Sequence, residues 1–277
     1  MIKDITIGQY FAGRSPLHRM DARMKLVLTL AYMVVVFLCK NFFSLGLIAG
    51  AAVLLCVLSG VPTKMILRSL RPILILVLFT SAFNIFSPGG PDAHIWFQHQ
   101  VWSMTVKITR EGVFTAIFTT ARFLSLISVS SLLTYTTTPS MLTTGLERLL
   151  SPLTKLRVPV AVFAMMMTLA LRFVPTLIEE TDRIINAQKS RGANLETGSL
   201  LQRVKAFVPV LVPLFVSAFR RAAELAYAME SRCYTGEGKR TSLKQLRLRV
   251  WDFTWLAGAL ILVAGVVTLN FYFAAVI

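Results

Sequence analysis

Long apolar stretches constrain this chain more than any other feature of its sequence. Five of them cover residues 26–39, 42–59, 72–87, 112–134 and 253–277. Such stretches are typical of helices that cross a hydrocarbon core about 30 Å thick. The mean hydropathy of +0.67 and the low share of charged residues, 15%, indicate the same environment. The sequence therefore predicts an all-α integral membrane protein with about five transmembrane helices.

Two further apolar stretches, 158–171 and 206–219, are shorter. Each has about 14 residues, or roughly 21 Å of helix. With five spans, only Lys40, Lys107 and Arg110 lie on the outer side. Crossings by the two short stretches would move more basic residues outward. Because basic loops tend to stay in the cytoplasm, five spans and a cytoplasmic N-terminus are favoured. An ordinary seven-helix bundle remains the alternative.

This topology divides the chain into three parts. Residues 1–134 form an N-terminal membrane bundle of four transmembrane helices, and residues 251–277 form a C-terminal transmembrane helix. Residues 135–250 form a large cytoplasmic segment. Beyond each short apolar stretch of that segment, apolar side chains recur at intervals of three and four, which predicts two amphipathic helices.

The charged faces of these two helices and their prolines are also defined by the sequence. The charged face of the first contains Glu179, Glu180, Asp182 and Arg183, and that of the second contains Arg220, Arg221, Glu224 and Glu230. Three prolines, Pro175, Pro209 and Pro213, are expected to kink the helices or to mark their starts.

Several classes of function find no support in the sequence. The net charge of +16 is spread along the chain, as expected for basic loops retained in the cytoplasm, so nucleic-acid binding is not indicated. The three cysteines lack metal-ligand or redox spacing. The stretch TGEGKRT at 235–241 resembles the end of a phosphate-binding loop. However, Cys233 stands where the first glycine of that loop belongs, and Arg240 replaces its Ser or Thr. We expect no catalytic residue, metal site or cofactor in this chain.

Arg122 lies near the middle of the fourth predicted span. A cation at that depth is costly unless it is paired or hydrated, and no acidic residue within another span is available to pair with it. The shortage of ionisable groups in the spans argues against an ion relay. We therefore expect Arg122 to anchor its helix to a neighbouring one.

Two similar helix ends are the most specific local feature. AQKSRGAN at 187–194 and AMESRCYTGEGKR at 228–240 both carry Ser-Arg, and Arg191 and Arg232 lie 41 positions apart. Gly192 is placed to end the first helix in a left-handed residue. One such arginine complements only the dipole of its own helix. Two guanidinium groups on two helix ends suit two similar pockets, as a dimeric or pseudo-dimeric receptor would provide.

Five sequence segments carry a family resemblance. They are SPLHRMDARMKL at 15–26, ITREG at 108–112, GLERLLSPL at 145–153, LALRFVPTLIEETDRI at 169–184, and the two helix ends. With these segments the chain resembles the transmembrane T component of energy-coupling factor transporters over nearly its whole length. The resemblance implies a non-catalytic coupling subunit of an importer, which joins two ATP-binding-cassette ATPases to a small membrane protein that captures a micronutrient.

The resemblance also implies roles for individual residues. The ATPases would bind ATP and Mg²⁺. The residues implied to dock on them are Ser190, Arg191, Gly192, Ser231, Arg232 and Cys233. The residues implied to contact the substrate-binding subunit are Met165, Met166, Met167, Val212, Phe215, Phe219, Ala222, Ala226 and Met229. Methionine and small residues suit a surface that accepts several partners, with plain core packing as the alternative for the three methionines. Cys233 replaces a glycine of the family, and its β-carbon argues against a left-handed cap there.

The resemblance is closer to T components shared among vitamin transporters than to dedicated cobalt or nickel systems. Uptake of vitamins across a bacterial or archaeal cell membrane is therefore the expected process. The alternative function is a self-sufficient secondary transporter, against which the shortage of intramembrane ionisable groups argues.

Overall fold

The computed structural model describes residues 10–86, 95–101, 104–193, 199–236 and 250–273. These residues are almost entirely helical, so the predicted all-α membrane fold is confirmed. They form two compact units. The bundle unit contains the described residues up to 146 together with 250–273, and the α7–α8 unit contains those from 147 to 236.

The described residues contain nine α-helices. In chain order they are α1 Pro16–Arg19, α2 Ala22–Leu38, α3 Phe42–Ser59, α4 Thr63–Phe86, α5 Arg110–Thr136, α6 Pro139–Leu150, α7 Val160–Ser190, α8 Leu200–Glu230 and α9 Val250–Tyr272. A 3₁₀ turn, Ser151–Leu156, precedes α7. One antiparallel strand pair, β1 Ile95–Val101 and β2 Met104–Thr109, lies between α4 and α5 and is an addition to the predicted fold.

Each of the five predicted spans coincides with a helix, namely α2, α3, α4, α5 or α9. The predicted start of the third span at residue 72 is wrong, because α4 already begins at Thr63 and carries Pro72 inside it. Proline removes only one helical hydrogen bond, the one to the carbonyl four residues earlier, so a helix in an apolar setting continues through it.

The apolar core of the bundle unit lies where α2, α3, α5 and α9 meet. Val36, Ile48, Phe118 and Val266 are fully or almost fully buried there. The hydroxyl of Tyr32 donates to the carbonyl oxygen of Ile48 at 3.1 Å, so the one polar atom of this buried ring has a partner.

Buried polar residues close one end of the bundle unit. Lys25 Nζ donates to the carbonyl oxygen of Thr136 at 2.9 Å and to Thr137 Oγ1 at 3.1 Å, which joins α2 to the end of α5. The backbone N–H of Asp21 donates to Asp252 Oδ1 at 3.2 Å, which joins the start of α2 to the start of α9. Much of the SPLHRMDARMKL segment thus holds three helices together.

The glycine of the GLERLLSPL segment, Gly145, explains how α6 packs in the bundle unit. A β-carbon at Gly145 would lie 3.2 Å from the β-carbon of Ala22 and 3.3 Å from the Ala22 carbonyl carbon. That spacing is tighter than ordinary van der Waals contact, so the close approach of α6 to the first residue of α2 favours glycine at this position.

In the α7–α8 unit, the two short apolar stretches belong to much longer helices. α7 and α8 have 31 residues each and contain 158–171 (from Val160 onward) and 206–219, respectively. Six described helices are long and apolar enough to cross a membrane: α3, α4, α5, α7, α8 and α9. By length and composition alone, α7 and α8 could therefore also cross a membrane.

The three prolines of the α7–α8 unit lie inside helices and not at their starts. Pro175 is in α7, and Pro209 and Pro213 are in α8. The expectation that they mark helix starts is therefore wrong. Instead, α7 follows Pro159 and α8 begins with a capping box in which Ser199 and Gln202 exchange side-chain and backbone hydrogen bonds.

Candidate functional site

The first of the two predicted helix ends closes as a Schellman motif. Gly192 has a φ of +84°, in the left-handed region that favours glycine. Its N–H donates to the carbonyl of Lys189 at 2.9 Å, and the N–H of Ala193 donates to the carbonyl of Gln188 at 3.0 Å. The predicted left-handed residue at Gly192 is confirmed, and Arg191 is the capping residue of α7.

The second helix end closes in the same way. Cys233 has a φ of +57°, its N–H donates to the carbonyl of Glu230 at 2.8 Å, and the N–H of Tyr234 donates to the carbonyl of Met229 at 3.0 Å. The sequence argument against a left-handed cap at 233, which was based on the β-carbon of Cys233, is therefore wrong. The left-handed conformation costs a non-glycine residue about 1–2 kcal/mol. Two cap hydrogen bonds at about 1 kcal/mol each offset that cost.

We call residues 188–193 the first tip and residues 229–234 the second tip. Arg191 and Arg232 occupy the same position in the two motifs, directly before the left-handed residue. Both are exposed, and neither guanidinium makes an ion pair or hydrogen bond within the described residues. The tips therefore present two matching, unpaired cations.

The serines before the two arginines bond to their own helices. Ser190 Oγ donates to the carbonyl of Asn186 at 3.1 Å, and Ser231 Oγ donates to the carbonyl of Ala228 at 3.0 Å. Each hydroxyl satisfies a carbonyl near its helix end. Of the six residues predicted for docking, the arginines thus offer charge, while the serines, Gly192 and Cys233 shape the tips.

α7 and α8 pack against each other in antiparallel fashion. Tyr234 Oη donates to Met165 Sδ at 3.0 Å, and Arg221 Nη2 donates to Glu180 Oε2 at 3.3 Å. Gln188 Nε2 donates to the carbonyl oxygen of Pro209 at 3.4 Å. As the residue number rises along α7, the number of its partner on α8 falls. The two tips therefore lie at opposite ends of the pair.

The contact of Gln188 has a simple origin in the sequence. In a regular helix the carbonyl of Pro209 would accept from the N–H of residue 213, but Pro213 has no N–H. The freed oxygen accepts from the Gln188 side chain instead, at 3.4 Å. The proline thus supplies a docking point between the helices next to the first tip.

The residues predicted to contact a substrate-binding subunit fall into two groups in the α7–α8 unit. The exposed group is Met166, Met167, Val212, Phe215 and Phe219, each more than half exposed. The other group comprises Ala222, Ala226 and Met229, which line an open cavity of about 410 Å³ facing Phe173, and Met165, which contacts Tyr234. Met165 thus contacts Tyr234, whereas its neighbours Met166 and Met167 are exposed.

The contacts that hold α7 and α8 together could be predicted only in part from the sequence. The sequence assigned Glu180 and Arg221 to the charged faces of the two helices. Their separation of 41 positions equals the separation of Arg191 and Arg232 in the tips. The contacts of Tyr234 and Gln188 depend on the antiparallel packing and had no sequence signal of their own. Within the described residues no cluster of three or more metal-ligating side chains is present.

Comparison with known proteins identifies the family. Residues 13–243 match the model of a family described as cobalt transport protein, CbiQ. The chain is 46% identical over 273 residues to the energy-coupling factor transporter transmembrane protein EcfT of Ruminiclostridium cellulolyticum, covering 99% of this chain and all of the relative.

Two further relatives carry the same name. The EcfT protein of Clostridium kluyveri is 48% identical over 263 residues, covering 95% of this chain and 96% of the relative. That of Bacillus subtilis is 43% identical over 252 residues, covering 91% of each. These matches extend over the bundle unit and both tips. The chain therefore belongs to the CbiQ family, as one of its energy-coupling factor transporter transmembrane proteins.

Proposed function

We propose that this chain is the non-catalytic coupling subunit of an importer, and that each arginine tip docks on a separate ATPase subunit. The observation that supports this proposal is that the two matching tips lie at opposite ends of the packed helices α7 and α8. Eleven residues separate Glu180 from Arg191 and Arg221 from Arg232, or about 16 Å of helix each. The tips are thus roughly 33 Å apart, a separation that suits two receptors better than one.

The receptors in this proposal are two ATP-binding-cassette ATPases, which bind ATP and Mg²⁺ themselves. An Arg side chain donates five N–H groups in a fixed plane, which suits a pocket of carboxylates or backbone carbonyls. Closure of an ATPase pair around ATP brings its two halves together. The tips then move relative to each other, and α7 and α8 transmit the motion.

The substrate-binding partner in this proposal is a small membrane protein that contacts the exposed apolar surface of α8. Val212, Phe215 and Phe219 are 56%, 61% and 73% exposed, which places an apolar stripe along one side of that helix. Small side chains at Ala222 and Ala226 continue it and allow close approach of a partner helix. The transported compounds are micronutrients, with vitamins the expected class.

The proposed orientation places the N-terminus and both tips on the cytoplasmic side of a bacterial or archaeal plasma membrane. Its support is the excess of Lys and Arg in the segments assigned to that side. Both tips must face the cytoplasm for docking, since ATP is available there.

Reversal of the tip charges tests this proposal. In the variant Arg191→Glu with Arg232→Glu, we expect the ATPases to be lost from the purified complex, because a buried charge pair is replaced by repulsion. The matched control is Arg183→Glu with Arg220→Glu, since both of these arginines are exposed on the same two helices. Equal ATPase recovery from the tip variant and the wild type contradicts docking.

Substrate uptake by the purified chain alone, driven by an ion gradient, would support a secondary transporter instead.

A further inference from the structure

The ion pair between Arg221 and Glu180 has a special place in the α7–α8 unit. These two residues are 41 positions apart, the same offset that relates Arg232 to Arg191 and Cys233 to Gly192. The pair therefore joins equivalent positions of the two helices. In an antiparallel pair, equivalent positions meet only at the midpoint, where a local two-fold axis passes.

The pair lies midway between the two tips. Arg191 follows Glu180 by the same 11 residues by which Arg232 follows Arg221, so each tip lies about 16 Å of helix from the contact. Any relative sliding of α7 and α8 shortens or lengthens the separation between the tips. The register at Glu180 and Arg221 thus fixes that separation.

Apolar packing between α7 and α8 is too sparse to determine this register. Among the side chains of the two helices whose burial is described, only those of Val160 in α7 and Val210 in α8 are buried. Helices that interlock poorly through apolar side chains can slide by a turn at little cost. Polar contacts are a known means of selecting one register among several.

Slippage by one helical turn removes the ion pair and creates no replacement. Glu180 would then lie opposite Ser217 or Leu225, neither of which carries a positive charge, and the second arrangement brings it near Glu224. Arg221 would lie opposite Thr176 or Ile184 in the same arrangements. The observed register is therefore the only one of these three in which both charges are paired.

We infer that the Glu180–Arg221 ion pair is the register lock of α7 and α8, and that it positions the two arginine tips for simultaneous docking. This inference rests on the proposed function. The two residues are positioning residues, because they set where Arg191 and Arg232 lie. Their side chains are 25% and 37% exposed, so the pair is partly screened and acts mainly through register.

The distance between the tips gives a direct test that needs no ATPase. Spin labels are attached at Ser190→Cys and at the native Cys233, with Cys39 and Cys56 replaced by alanine, and the distance distribution is measured in the isolated chain. We expect one dominant distance in the parent. Glu180→Arg and Arg221→Glu, each alone, should broaden or shift the distribution. The double exchange, Glu180→Arg with Arg221→Glu, should restore it.

The neighbouring residues Glu179 and Arg220 provide matched controls. They are exposed, are also 41 positions apart, and make no ion pair with each other in the described structure. Reversal of either charge should leave the distance distribution unchanged. A register lock is contradicted if reversals at 179 or 220 act as strongly as those at 180 or 221, or if the double exchange fails to restore the parent distance.

A second measurement separates this inference from the proposed function. In the complete complex, each single reversal at Glu180 or Arg221 should reduce transport-coupled ATP hydrolysis about fivefold, and the double exchange should recover most of it. If the tip distance changes but coupling does not, positioning for docking is refuted. If reversal of Arg191 and Arg232 leaves the ATPases bound, the proposed function fails whatever the distance shows.

Discussion

Arg122 Nη2 donates to the carbonyl oxygen of Cys39 at 2.7 Å, and its guanidinium also lies over the ring of Phe118, 4.7 Å from the ring centre. Cys39 caps the end of α2, where helical carbonyls have no intrahelical donor. An arginine of α5 thus satisfies an oxygen of α2 in an apolar region. This agrees with the expected anchoring role of Arg122.

Removal of this arginine should destabilise the bundle unit. In Arg122→Leu the Cys39 carbonyl loses its donor, which costs about 1–3 kcal/mol for a buried polar group. We expect a lower midpoint of thermal unfolding in detergent. Arg148→Leu is the control, since Arg148 is exposed at the end of α6. Equal stability of the Arg122 variant and the control would show that the contact has no role in stability.

Alanine at two glycines should change stability in opposite directions. Gly145→Ala places a β-carbon 3.2 Å from that of Ala22, so α6 must move away and stability should fall by about 1–3 kcal/mol. Gly50→Ala in α3 meets no atom within 4 Å and should stabilise its helix by up to about 1 kcal/mol. Thermal unfolding of both variants measures the difference. The close approach of α6 and α2 is disproved if the two substitutions behave alike.

Glycine at position 233 should strengthen the second tip. Cys233→Gly removes the cost of the left-handed conformation, and protection of the Tyr234 amide against hydrogen exchange should rise by about tenfold, or about 1.4 kcal/mol. Gly192→Ala introduces the same cost at the first tip, where φ is +84°, and protection of the Ala193 amide should fall. Unchanged exchange in both variants would rule out left-handed caps at the tips.

The hydrogen bond between Gln188 and Pro209 should depend on Pro213. Pro213→Ala restores an N–H that can bond the Pro209 carbonyl within α8, so Gln188 loses its place as donor. Gln188→Ala should therefore destabilise the wild type by about 0.5–1 kcal/mol and the Pro213→Ala background by less. A double-mutant cycle on thermal unfolding gives the coupling energy. Zero coupling would mean that the proline does not create this contact.

The elements that sequence reasoning located correctly are those with local causes. Apolar stretches located α2, α3, α5 and α9, and Gly192 located the first tip, because apolar length and a left-handed glycine act within a few residues. The third predicted span began at residue 72, where the apolar stretch begins, whereas α4 extends back through Pro72 to Thr63. A single proline is weaker evidence for a helix end inside an apolar setting than in water.

The features that escaped prediction depend on contacts between distant parts of the chain. Gly145 gave no local signal, because its need for a small residue arises only from Ala22, more than a hundred positions earlier. The same holds for Lys25 and the end of α5. At Cys233 the local rule was misleading, since cap hydrogen bonds outweighed the preference for glycine. The expected contact with a substrate-binding subunit stays a prediction.

Both tips are closed by main-chain hydrogen bonds and serine hydroxyls that turn inward, so the form of each tip does not depend on its arginine. Shape and charge are thus separable properties of these endings. A different side chain at 191 or 232 would give the same protruding turn with new binding chemistry. Under the proposed docking, adaptation to a different ATPase would require substitutions at these two exposed positions and no redesign of the helices that carry them.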